Sequence, residues 1–399
     1  MSFKTSVGHS HGEDSYAVGA NAAQSALDSL NDTAPDLAIV FASVEYDQEK
    51  MLAGVRSVCG TAQIVGASTA GEITNEGPLP RHSVVVMLMK SDDVHFFAGI
   101  GEGVVQNARL AGTTAANDVK QKAGEDLKAF IMFSDVLGAN GADTVRGVLD
   151  SLGEHFPIVG GSAGDDFQFK KTYQYHNEIA HSGAVVGLGL TGNIKMGIGV
   201  KHGWIPLGVP QVVTRSEGAV LHELDGKPAI NLYADYFGEE EAKKLKHEVL
   251  AHLALSYPLG MKVEGSEELL LRAPFSVDEA GSITCAAEIP MGSKIQLMIG
   301  SQEDAFRVAK VAAENAVAQL EGSTPKAVII FNCIARSKLF GDRAGEEITA
   351  IQEVVGKDVP LIGFYTYSEQ APVGGEVRNL SKCNAVSHNE TVVICILSQ

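Results

Sequence analysis

Six residues toward the carboxy-terminal end of the chain have the types and spacing to recognise a small molecule: Asn332, Cys333 and Arg336, then Tyr365, Tyr367 and Glu369. A guanidinium such as Arg336 grips a carboxylate through paired hydrogen bonds, a carboxylate such as Glu369 accepts an ammonium, and the ring of Tyr367 covers the stem between them. That set suits an amino-acid-like ligand. Arg336 and Glu369 would equally satisfy each other across neighbouring strand ends, and both readings stay open at this level. Asn332, by its turn preference, reads as holding loop backbone ahead of ligand. Cys333 is the one cysteine set among such groups. Arg336 nearby would lower its pKa and make it a nucleophile or a redox sensor. No histidine stands close to it in sequence as a base, so a Cys333-dependent enzyme is kept only as an alternative and the chain is read as non-enzymatic.

The elements that must position these residues are two apolar runs, Val328 to Phe331 and Val359 to Phe364. Runs of that kind fit strands buried on both faces, and ligands sit beyond the carboxyl ends of such strands. The design occurs twice earlier, as Leu37 to Phe41 with Gln63 to Gly66 and as Ala129 to Phe133 with Pro157 to Gly160. Counting six residues on from Gly66, Gly160 and Gly363 gives Glu72, Asp166 and Glu369, acidic each time. A short strand and an alanine-rich helix precede each copy: Phe3 to Gly8 and Asn21 to Leu30, Val94 to Gly101 and Leu110 to Ala123, Ile295 to Gly300 and Ala305 to Leu320. A further strand follows each, at Ser83 to Met89, Gly183 to Leu190 and Thr391 to Leu397. The turns Lys90 to Asp93 and Thr191 to Asn193 read as hairpins. The fold class is therefore α/β: internally repeated strand-helix-strand units forming mixed sheets flanked by helices. The repeat is about ninety residues, too long for a solenoid, so each copy is a subdomain. An insertion, 201–294, falls between the second and third copies. The joint near His202 to Pro210 divides the chain into residues 1–200 with two copies and 201–399 with the insertion and the third.

Composition removes several classes of function. The 399 residues are 45% hydrophobic and 20% charged, an ordinary globular balance. No run reaches the roughly twenty apolar residues that span a bilayer, and the start lacks the apolar core of a signal peptide, so a cytoplasmic protein is expected. A formal charge of −18 disfavours nucleic acid and anionic membranes. Five scattered cysteines without a CxxC pair argue for reduced thiols and against structural zinc.

The segments IVGASTAGEI (64–73), IVGGSAGDD (158–166), LHELDGKPAINLY (221–233), FNCIAR (331–336) and LIGFYTYSEQAP (361–372) together resemble a FIST protein with both FIST N and FIST C domains. The resemblance covers almost the whole chain, with one departure: Ser368 stands where the family pattern has Gly. It implies a sensory module for signalling that binds a small ligand. The architecture is similar to a stand-alone subgroup regarded as haem-binding nitric oxide sensors, which act on a separate partner such as a histidine kinase. Sensing of an amino-acid-like metabolite without haem is the alternative.

Haem needs an axial ligand and an apolar slot. The candidate haem ligands are His202, beside Gly203 and Trp204, and His247 and His252 on one amphipathic segment. Each is otherwise an ordinary packing or surface residue, and the absence of CxxCH excludes covalent attachment. His9 and His11 suggest a weak metal site or a solvated terminus. GGSAGDD after Val159 carries two carboxylates and no P-loop lysine, which excludes a nucleotide. Asp165 and Asp166 read as caps ahead of cation ligands.

Overall fold

The computed structural model describes residues 3–238, 240, 256–263, 266 and 268–399. The first copy runs β1 (Phe3–His11), α1 (Ser15–Ser29), β2 (Leu37–Ser43), α2 (Gln48–Cys59), β3 (Gln63–Thr69), the short β4 (Glu72–Thr74) and β5 (Gly77–Pro78), and β6 (Ser83–Ser91). The second runs β7 (Val94–Glu102), α3 (Val104–Ala123), β8 (Ala129–Ser134), α4 (Gly141–Leu152), β9 (Ile158–Ser162), β10 (Gln174–His176), β11 (Ile179–His181) and β12 (Ala184–Gly192). The third opens with β13 (Lys195–Lys201). Inserted elements follow: β14 (Trp204–Glu217), β15 (Val220–Leu224), β16 (Lys227–Pro228), α5 (Asn231–Phe237), β17 (Leu259–Lys262), β18 (Leu269–Arg272), β19 (Pro274–Val277), β20 (Ile283–Cys285) and β21 (Lys294–Gly300). The third copy then resumes with α6 (Gln302–Ala318), β22 (Ala327–Cys333), α7 (Ile334–Phe340), α8 (Ala344–Val355), β23 (Leu361–Thr366), β24 (Glu369–Pro372), β25 (Ala385–His388) and β26 (Val392–Ser398).

Each copy builds one mixed sheet, and each sheet is completed by a neighbour. The orders are β1-β6-β2-β3-β10-β11, β7-β12-β8-β9-β24-β25 and β13-β26-β22-β23-β4-β5. The two short strands after each copy's third strand thus join the next sheet round: copy one donates to copy three, copy two to copy one, and copy three to copy two. Only β2 with β3, β8 with β9, and β22 with β23 pair in parallel within these sheets. The exchange covers each copy's third strand and leaves one of the short strands β5, β11 or β25 at that edge, and short edge strands are one device by which folds avoid pairing with other chains.

Alternation along the middle strands places the core. Leu37, Ile39 and Phe41 of β2, Ala129, Ile131 and Phe133 of β8, and Ala327, Ile329 and Phe331 of β22 all point into one shared interior. There Phe41 meets Phe133 at 5.7 Å, Phe133 meets Phe331 at 6.2 Å and Phe331 meets Phe364 at 5.9 Å between ring centres. The intervening residues face outward onto helices: Ala38 and Val40 toward α1 and α2, Phe130 and Met132 toward α3 and α4, and Val328 and Ile330 toward α6 and α8. The repeated glycine has a steric cause. A Cβ at Gly66 would lie 1.8 Å from the carbonyl oxygen of Val40, and one at Gly160 would lie 2.1 Å from that of Met132.

Three expectations are corrected here. The third copy begins not at Ile295 but at β13, which pairs with β26 as β1 pairs with β6 and β7 with β12. Ile295 to Gly300 lies in β21, part of the separate inserted sheet ordered β18-β17-β21-β14-β15-β20-β19. The insertion therefore interrupts copy three between its first strand and first helix, where two further apolar strands are easily mistaken for the repeat. Nor are Lys90 to Asp93 and Thr191 to Asn193 hairpins: β6 and β7 belong to different sheets, as do β12 and β13, so these turns carry the chain between copies. His9 and His11 lie in β1, not in a terminal loop.

Candidate functional site

The same alternation separates the predicted site residues that lie in the third-copy sheet, while Arg336 lies in α7, Tyr367 in the turn after β23 and Glu369 in β24 of the second-copy sheet. Asn332 follows Val328 and Ile330 in pointing outward to the helices, and Tyr365 joins that outer cluster. Cys333 follows Phe331 inward, in register with Thr366. The residues are close in space, but they do not line one crevice.

On the outer face Arg336 is fully buried, and its charge is committed within the fold. Its Nε and Nη2 donate to Oε1 of the equally buried Glu347 at 3.0 and 2.5 Å. Nη2 also donates to the Ala305 carbonyl at 3.1 Å and Nη1 to the His202 carbonyl. Asn332 Nδ2 donates to the other Glu347 oxygen at 2.6 Å. Arg336 thus ties α8, the first turn of α6 and the link from β13 into the insertion, with the Trp204 ring centre 5.7 Å from its guanidinium. This corrects both expectations for Arg336: it neither awaits a ligand carboxylate nor pairs with Glu369. The missed partner carried a signal, since Glu347 interrupts the apolar stripe Ala344, Ile348, Ile351, Val355 on the buried face of α8.

Close to Cys333, Glu369 of β24 is fully buried and accepts hydrogen bonds from Thr366 Oγ1 and, at 3.2 and 2.8 Å, from the Thr391 amide and hydroxyl. Burial pushes its carboxyl up to about 7. Beside it Glu390 has no exposed surface, a left-handed backbone at φ 59°, and neither carboxylate oxygen partnered within the protein. Burial holds its pKa well above the usual carboxylate range, and Glu369 adds to the rise while Arg336 opposes it. Burial together with these two carboxylates also pushes the Cys333 thiol well up. The lowering expected from Arg336 is therefore reversed, and the thiol is not activated. Glu390 also acts on the hydroxyl of Tyr233 in α5, which places it where the third copy meets the insertion. Sequence reasoning missed Glu390 because it lies in the loop before β26, outside the strand-end motifs.

Tyr367 is held by a loop of the second copy. Its hydroxyl donates to Asp165 and accepts from the amides of Asp165 and Phe167 at 3.2 and 2.8 Å, while its ring stacks on Phe169 at 4.8 Å. Asp165 closes that loop by accepting from the amides of Phe169, Lys170 and Lys171 at 2.9, 2.6 and 3.0 Å. Tyr367 is therefore a clasp between copies, its hydroxyl and one ring face taken up by that loop. An open cleft of about 440 Å³ at the second copy's strand ends is lined by Gln106, Asp135, Lys170 and Lys171 among others, and by none of the six.

Counting six residues from the glycine does not identify the structural counterparts. Glu72 pairs with Phe364, Glu369 with Gly161 and Gln174 with Ala67, each residue opposite the position just after the repeated glycine. Glu72 accepts from Thr69 at 2.6 Å and from Ser83, and Gln174 Oε1 accepts from the Ala184 amide at 3.1 Å. Every donated strand is thus latched to its own copy. In copy two a longer loop displaces Asp166, which instead receives a hydrogen bond from Ser43 at 3.4 Å.

Of the candidate haem ligands, His247 and His252 lie outside the described residues. His202 Nδ1 accepts from the Trp204 amide at 3.0 Å, and burial with Arg336 and Lys201 nearby lowers its pKa to about 3. A neutral imidazole suits a metal, but its surroundings are a guanidinium, a lysine and an indole instead of an apolar slot. The residues around His202 do not fit haem. Among the described residues no group of three or more His, Cys, Asp or Glu is arranged to hold a metal ion.

Three sheets with cyclically exchanged strands and an inserted fourth sheet define the class, and comparison with known families names it. The FIST N domain matches residues 36–227 and the FIST C domain residues 229–372, so the chain belongs to the FIST family, whose domains are sensory, small-ligand-binding domains of signalling proteins. The boundary between the two falls within the inserted sheet. An uncharacterized protein of Mycobacterium tuberculosis is 23% identical over 383 residues, covering 92% of this chain and 95% of that protein. Another, from Methanocaldococcus jannaschii, is 27% identical over 211 residues, covering 50% of this chain and 41% of that protein. A cyanuric acid hydrolase from A. caulinodans aligns over 100% of this chain and 99% of its own at 8% identity, with a TM-score of 0.41. No helix among the described residues is long and apolar enough to cross a membrane.

Proposed function

We propose that this protein is a sensor whose small ligand is received at Glu390, between the third-copy strand ends and the insertion, and whose response is a change in how the insertion packs on the three-sheet core. The observation that carries this reading is a fully buried carboxyl with no protein partner, held in a strained backbone at the junction of two units. Buried polar groups are nearly always satisfied, and exceptions cluster at functional sites. A ligand that answers Glu390 in one packing and not in another shifts the population toward that packing. The changed surface would be read by a separate partner, of which a histidine kinase is one class. Haem with nitric oxide as the stimulus would have to use residues other than His202.

The test is a thermal-shift screen of small metabolites against the wild type and Glu390→Gln, alongside a haem titration followed in the Soret region. A compound that stabilises the wild type and not the variant supports the site. A stoichiometric Soret band that moves with nitric oxide in both proteins would replace this reading with the haem one.

A further inference from the structure

We propose that the ligand received at Glu390 is a small organic cation with several N–H donors, of the protonated amine or guanidine type, in place of a carboxylate-bearing metabolite. This inference rests on the reading above and narrows it. The spare hydrogen-bonding capacity at the site is one-sided. With Glu390 ionised, as it is when it holds a cation, its Oε1 and Oε2 and Oδ1 of the adjoining, buried Asn389 are all acceptors without a protein partner. Only a donor answers an acceptor, and a ligand with several N–H groups answers more than one at once.

The charges nearby point the same way. Glu369 and Cys333 face Glu390 from the core strands, Arg336 acts on it from α7, and Tyr233 faces it from α5 of the insertion. Arg336 is the one cation in that set, and Glu347 and two backbone carbonyls already hold it. An incoming carboxylate would meet Glu369 and Glu390 with no guanidinium released to receive it. A cation meets the opposite case, because an ionised carboxylate is tolerated in the interior only when paired and hydrogen-bonded.

Burial raises the Glu390 carboxyl and so favours its protonated form; wherever that form holds in the free protein, binding exchanges a proton for the ligand. The O–H bond of Glu390 breaks, its proton leaves to solvent, and the carboxylate accepts hydrogen bonds from the ligand cation. The charge of the site is unchanged by the exchange. Apparent affinity therefore rises up to tenfold per pH unit while Glu390 is protonated in the free protein and the ligand keeps its own proton.

The experiment uses the full chain at constant ionic strength with methylguanidine, putrescine and methylammonium as probes, and tetramethylammonium as a cation without N–H donors. The expected result is a saturable rise in melting temperature with at least one N–H cation, none with tetramethylammonium, and loss of the effect in Glu390→Gln. Calorimetry of the unaltered chain in buffers of different ionisation enthalpy should show about one proton released per ligand bound, which keeps the test independent of the variant's folding. No saturable effect from any N–H cation, an equal effect from tetramethylammonium, or binding without proton release overturns the proposal. Stabilisation by neutral or anionic compounds alone, lost in Glu390→Gln, overturns the ligand class and leaves the junction site standing. Stabilisation that Glu390→Gln does not change overturns the site as well.

Discussion

Replacing Glu72 by Gln should make the protein more stable at pH 8 and leave it little changed at pH 5. Glu72 is buried and titrates near 7, against an ordinary value of 4.5, chiefly through desolvation. The sign follows from the protons bound: between those two values the unfolded chain has lost this proton while the folded chain keeps it, so stability falls as pH rises through that window. At 1.36 kcal/mol per pH unit the difference amounts to about 3 kcal/mol by pH 8. The second copy supplies a natural control, since Gln174 occupies the same paired position and is latched by the Ala184 amide. A glutamine at 72 can accept from Thr69 or Ser83 and donate to the other hydroxyl. It keeps the latch and does not titrate. Urea denaturation of wild type and Glu72→Gln at pH 5, 6, 7 and 8 measures the effect, and the stability difference should open steadily in favour of the variant. A difference that stays constant across that range would show that Glu72 does not change ionisation there, and the account of the latch would be wrong.

Arg336→Ala should cost about 3–5 kcal/mol by denaturant titration because it strands Glu347 in the interior, whereas Arg336→Met combined with Glu347→Leu should recover most of that loss. Cys333 should resist alkylation in the native chain at pH 8 and react once the chain is unfolded, since burial and two carboxylates raise its thiol; native labelling at the rate of an exposed cysteine refutes this. Tyr367→Phe removes a hydroxyl that contacts Asp165 and Phe167, so it should cost about 1–3 kcal/mol and expose residues 165–171 to limited proteolysis, with an unchanged cleavage pattern as the contrary result.

Much of the architecture is legible in the sequence because it depends on local patterns. The five-residue apolar runs ending at Phe41, Phe133 and Phe331 do form the middle strands, and their phenylalanines meet in the centre. The glycines at 66, 160 and 363 do mark equivalent positions, because a side chain there would strike the neighbouring strand's carbonyl or side chain. The part that counting along the chain misses is pairing between distant segments. Gln174 is the counterpart of Glu72 and Glu369 by register, yet it lies fourteen residues after Gly160, where the other two lie six after their glycines. The loop from Asp165 to Lys171 takes up the difference, and only its contacts with Tyr367 show why the chain is longer there.

The candidate site illustrates the same limit at the level of side chains. Nearness in sequence suggested that Asn332, Cys333 and Arg336 share a ligand, but strand alternation alone sends the first two to opposite faces, and that much could have been read from parity. The assignment of Arg336 to Glu347 could not, since it depends on how α8 lies against β22. Glu390 was harder still, because nothing in a lone glutamate of a late loop distinguishes it from a solvated one until the fold buries it near Tyr233 of the insertion. Its significance is the reverse of Arg336's. The arginine looks like a ligand-binding group and is fully used by the fold, whereas the glutamate looks incidental and is buried at a cost that no protein contact offsets. Unmet demand in the folded chain, more than the chemical repertoire of a motif, is therefore what the proposed ligand site at Glu390 rests on.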